Sequence, residues 1–147
     1  MDTNTQINWS LANLSDEIRL NHAAPTFLVS DVGATTEWYQ KELGFECSTF
    51  PKNPPFVYAS MWRDGVELML LRLEGYEKPD MAKLRPSGCW DAYIRMNGVD
   101  KLYALLKDRP FIRMHLRRQS YGDTEFEIID PNGYILVFSE LVSTADV

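Results

Sequence analysis

Few residues in this chain of 147 have the type and spacing to do chemistry, and their scarcity is informative. There are two histidines, His22 and His115, so a metal site built from three imidazoles of one chain is excluded by counting, although carboxylates could complete one. The two cysteines, Cys47 and Cys89, lack the CxxC spacing of a zinc or redox motif and read as buried, reduced thiols of a reducing compartment. Ser10, Ser15, Ser30, Ser60 and Ser87 stand in no GxSxG elbow, and no glycine-rich loop is present to cradle a phosphate. Arg113, Arg117 and Arg118 cluster around His115, either as a solvated edge strand or as a mouth for an anion. The net charge of −6 opposes that cluster; it argues against nucleic acid as a partner and suits a neutral or cationic small ligand.

The elements that must position these residues fit one ordinary soluble domain, large enough to fold without a metal or disulfide. There is no basic, apolar leader and no run of 18 apolar residues, so the expectation is a cytoplasmic protein with no membrane partner. Residues 1–21 read as an appended, partly helical arm. Residues 22–75 and 89–147 then repeat one pattern, joined by a Pro- and Gly-containing linker at 76–88. In each copy a short strand precedes an amphipathic helix and three further strands. The helix of the first copy is expected over Thr35–Leu43 and ends at Gly44, and that of the second spans Val99–Leu106. Asp64-Gly65 and Asp130-Pro131-Asn132-Gly133 mark the hairpin turns. Val29 maps onto Met96, Phe45 onto Phe111 and Gly65 onto Gly133, offsets of 67, 66 and 68. The fold class expected is α+β, two tandem βαβββ modules whose curved mixed sheets surround a cavity.

Three stretches carry a resemblance: Ala24-Pro25-Thr26-Phe27-Leu28-Val29-Ser30-Asp31-Val32, then Glu37-Trp38-Tyr39 through Leu43-Gly44-Phe45-Glu46, and Phe126-Glu127-Ile128-Ile129-Asp130-Pro131-Asn132-Gly133-Tyr134. Over residues 23–141 the chain resembles the glyoxalase, bleomycin resistance protein and extradiol dioxygenase superfamily, also called vicinal oxygen chelate. The resemblance implies paired βαβββ modules and a cavity commonly completed by a second subunit. Enzymes of that superfamily hold a divalent metal with His, Gln or Glu at up to four strand positions, and the matching positions here are Ala24, Met69, Asp91 and Val137. The repeat relates them in pairs, Ala24 to Asp91 and Met69 to Val137. An alanine, a thioether and a valine offer no hard donor, so no metal or other cofactor is expected. An alternative set of His22, Glu67 and Asp91 requires two slips against the repeat. The expectation is a metal-free binding protein of the bleomycin resistance type, with no catalytic residue. The alternative is a metal-dependent lyase, isomerase or dioxygenase with an unorthodox site.

Strand alternation then proposes a cavity wall. A two-residue turn at Asp64-Gly65 places Tyr58, Ser60 and Trp62 opposite Leu71, Met69 and Glu67. Pairing Ile129 with Tyr134 in the second hairpin places Phe126 opposite Val137. The expected wall is Thr26, Tyr58, Ser60, Trp62, Met69, Asp91, Tyr93, Phe126 and Val137, shared within a homodimer. Its aromatic faces, hydroxyls and one carboxylate suit a planar aromatic ligand that carries positive charge.

Overall fold

The computed structural model describes residues 18–141. Most of the expected arm and the last six residues lie outside the described residues. Eight strands and three helices follow in the order β1 Thr26–Val29, α1 Val32–Leu43, β2 Glu46–Phe50, β3 Tyr58–Arg63, β4 Val66–Arg72, α2 Met81–Leu84, β5 Ala92–Arg95, α3 Val99–Leu106, β6 Ile112–Arg118, β7 Asp123–Ile129 and β8 Ile135–Leu141. They form two four-stranded mixed sheets of identical topology, β1-β4-β3-β2 and β5-β8-β7-β6. The tandem βαβββ architecture expected from the repeat is present. The segment between the two sheets holds the single turn α2.

Local chemistry explains the boundaries. The Asp31 carboxylate accepts a hydrogen bond from the Ala34 amide at 3.0 Å and caps α1, so the helix begins three residues earlier than its apolar spacing indicates. Gly44 ends it in the left-handed region at φ 70°. A side chain at that position would also meet Arg63 Nη1 at 2.9 Å, where the guanidinium donates to the Leu43 carbonyl. Asp64 takes a φ of 52° between β3 and β4, which suits a short polar residue in a tight turn.

Each sheet has one face against a helix. Ala59, Met61, Leu68 and Leu70 lie under α1, and Phe126 and Phe138 lie under α3; these faces merge into one core spanning both modules. Tyr134 stacks on Phe27 at 4.1 Å and donates to the Leu28 carbonyl, while the buried Tyr39 hydroxyl donates to Asp130 at 2.7 Å. Burial raises the Asp130 pKa despite hydrogen bonds from Tyr39 and the Tyr134 and Asn132 amides. The DPNG hairpin is therefore a clasp from the second module onto the first. Among the described residues no helix is long and apolar enough to cross a membrane.

Candidate functional site

The opposite faces of the two sheets carry the candidate site. In the first sheet, β1 and β4 pair in parallel with Thr26 beside Met69, and β3 and β4 pair with Ser60 beside Met69, Trp62 beside Glu67 and Tyr58 beside Leu71. Thr26, Tyr58, Ser60, Trp62 and Met69 thus share one face. Strand β2 adds Phe50 beside Tyr58 and Ser48 beside Ser60. Among the described residues nothing packs over this face: Phe50 is 63% exposed, Leu71 40% and Trp62 36%.

The second sheet corrects the expected register. Ile129 pairs with Ile135, not with Tyr134, so Glu127 rather than Phe126 lies opposite Val137. Phe126 is fully buried on the helix side, its ring 5.4 Å from those of Tyr103 and Phe138. The cause lies in the turn. The Asp130 side chain accepts from the Tyr134 amide and the Asp130 amide donates to the Tyr134 carbonyl, which keeps Tyr134 in the loop while its ring packs into the first module. A one-residue slip reverses every side chain of a strand.

The corrected register brings Asp123, Glu125 and Glu127 onto the same face as Tyr93, Val137 and Ser139. These are residues the expected wall omitted, and the alternation of acids along β7 was the available signal. All three carboxylates are buried. The Tyr93 hydroxyl lies 2.5 Å from Glu125, 2.8 Å from Asp123 and 3.0 Å from Ser139 Oγ. Its single proton serves one of these acceptors, and the Ser139 hydroxyl and neighbouring cations must satisfy the rest. Burial and the hydrogen bond to Glu125 push the Tyr93 pKa well above its ordinary value. Arg95 Nη1 donates to Asp123 at 2.7 Å and its guanidinium lies over the Tyr93 ring at 5.2 Å. Burial alone would raise the Asp123 pKa, but hydrogen bonds from Arg95, Tyr93 and Ser139 outweigh it and hold the carboxyl below its ordinary value. Arg113 pairs with Glu127 at 2.6 Å, and Tyr121 donates to Glu125 at 2.7 Å. Two buried atoms in this region, Asp123 Oδ1 and Arg117 Nη1, have no hydrogen-bond partner among the described residues. Half-exposed Trp90 leans on Tyr93 at 5.3 Å.

Asp91 is otherwise engaged. Its carboxylate accepts from the Ile135 amide at 2.8 Å and lies 3.4 Å from Lys78, whose side chain is almost wholly buried. It pins β5 to β8 from its position beside the strand start. The four positions matching the superfamily's metal ligands therefore offer one carboxylate, already bonded, and three side chains without a hard donor. His22 and Glu67 do approach, at 3.5 Å. Among the described residues, however, no three His, Cys, Asp or Glu side chains assemble as a metal site. The donor set does not fit the superfamily's metal.

The Arg113 to Arg118 run lies on β6, an edge strand with register shifts against β7. Arg113 there neutralises Glu127, and Arg117 stands opposite Glu125. Of the run, Arg113 thus serves a buried acid, while Arg118 stands opposite Thr124.

Neither a protein-family model nor a curated protein matches the sequence. Solved structures do. TioX from Micromonospora sp. ML1 superposes with a TM-score of 0.66 at 16% identity, over 82% of this chain and 98% of that one. A member of the glyoxalase/bleomycin resistance protein/dioxygenase superfamily from Sphaerobacter thermophilus gives 0.63 at 20% identity, over 84% and 98%. The bleomycin-binding protein of Streptomyces verticillus, solved with copper(II)-bleomycin, gives 0.57 at 21%, over 82% and 96%. The chain has the glyoxalase/bleomycin resistance fold. Within that fold its two outward sheet faces differ sharply: one is aromatic and exposed, the other a buried network of acids and arginines.

Proposed function

We propose that the chain is a metal-free small-molecule binding protein of the bleomycin resistance type, active as a homodimer. The first-sheet face of one copy meets the second-sheet face of the other, and an aromatic, positively charged compound lies between them. The observation that carries this reading is the uncovered face of the first sheet, where Phe50, Trp62 and Leu71 stand exposed around the hydroxyls of Tyr58 and Ser60. Exposed aromatic rows of this kind mark ligand or partner surfaces. On the second face, half-exposed Trp90, tilted against Tyr93, offers an aromatic surface on which a cation could stack. The similar structures solved with bleomycin support the same class of ligand.

Calorimetric titration with bleomycin and smaller planar aromatic cations tests the reading, together with sedimentation to establish the dimer. Saturable binding that Trp62→Ala weakens at least about tenfold, with unchanged circular dichroism, is expected. Absence of binding across the panel, with no protection of a sensitive host, would sink it. A full equivalent of transition metal in protein purified without chelator would favour the enzyme reading instead.

A further inference from the structure

One concavity among the described residues lies on neither outward sheet face. It is a groove between the modules, with a volume of 680 Å³. Leu43 at the end of α1, Val66 at the start of β4, Ile94 and Phe138 of the second sheet, and Leu102 and Leu105 of α3 line it. Pockets for small ligands usually fall between about 300 and 1,000 Å³, with apolar walls and a few polar groups that set orientation. Leu105 is 76% exposed here.

The rim has the opposite charge from the chain. Arg63, Arg95 and Lys101 border the groove against the single carboxylate Asp64, in a protein of net charge −6. Two of these cations are engaged, Arg63 with the Leu43 carbonyl at 2.6 Å and Arg95 with Asp123 at 2.7 Å. Lys101 makes no ion pair among the described residues. The first amides of α3 are also spent, since Gly98 and Val99 both donate to Glu140 at 2.8 and 3.1 Å. An anion in the groove would therefore meet Lys101, in the first turn of α3, and not the amides of Gly98 and Val99.

We propose that this groove is a second ligand site, independent of the open sheet faces, that takes a small amphipathic anion: a monocarboxylate whose apolar chain lies along Leu102, Leu105 and Val66 and whose head pairs with Lys101. Decanoate, decanol and decylamine share one chain and differ in head charge, so they separate the charge from the apolar contribution. Titration of each into the full-length chain, followed by amide NMR, should show decanoate shifting the Leu102 and Leu105 signals. Decanol should bind more weakly and decylamine not at all. Lys101→Glu, a surface change, should weaken decanoate roughly tenfold and leave decanol unchanged. Leu105→Asp should abolish both. Equal affinity for decanoate and decanol, indifference to Lys101→Glu, or no shift in α3 with any probe would overturn the site. So would a groove already closed by self-association that Leu105→Asp relieves.

Discussion

The two modules share a topology but not a use for their outward faces. In the first sheet, Trp62, Phe50 and Leu71 are exposed and, among the described residues, nothing charged is buried beside them. In the second, the symmetry-related strands bury Asp123, Glu125 and Glu127 under Tyr93, Tyr121, Arg95 and Arg113. A buried carboxylate demands paired donors, whereas an exposed aromatic demands only a partner to cover it. Duplication of a βαβββ unit thus fixes where side chains point and leaves open what they do. One face has been closed by its own polar network and the other kept open.

Four measurements can break or sharpen that contrast. Phe126→Ala should destabilise most, by about 3–5 kcal/mol in urea unfolding, because Phe126 is fully buried against Tyr103 and Phe138. A mild effect would return Phe126 to the outward face and overturn the corrected register. Arg113→Met should follow, at about 2–3 kcal/mol, since it strands buried Glu127 without its partner; part of that loss should return in the double variant with Glu127→Leu. Trp62→Ala should cost less than about 1 kcal/mol in dilute protein, with a penalty that grows with protein concentration as the proposed dimer forms. A concentration-independent penalty would argue that this face stays uncovered.

The smallest expected effect is one of pH. Asp123 has a lowered pKa in the folded state, so its contribution to stability is present above the unfolded-state value, 3.8, and is lost as pH falls through the folded value. The stability difference between the wild type and Asp123→Asn should therefore hold steady from neutral pH down to about 5 and shrink below about 4. A difference that instead grows on acidification would reverse the sign assigned to this carboxylate.

Much of the first module was legible in the sequence. The two-residue turn Asp64-Gly65 leaves one pairing for β3 and β4, and the structure has Tyr58, Ser60 and Trp62 opposite Leu71, Met69 and Glu67 as expected. The helix Val99–Leu106 also matches its apolar spacing. The second hairpin was not legible to the same depth, because a longer turn admits two registers; the alternation along β7 puts its three acids on one face without saying which face that is. Asp91 is a similar case: a carboxylate in an apolar strand run reads as a ligand contact or as one half of a buried pair, and Lys78, thirteen residues away in the linker, could not be placed beside it by strand periodicity.

By itself the sequence determined the duplicated module, the glycine stop of the first helix and the pairing of β3 with β4, all set by local rules of turn, cap and alternation. It also determined that three of the four positions matching metal ligands lack a suitable donor. Only the tertiary structure decided the rest. Tyr134 stays in the turn, bonded to Asp130 and held by Phe27 and the Leu28 carbonyl of the other module, and with Ile129 paired to Ile135 three acids face outward and Phe126 inward.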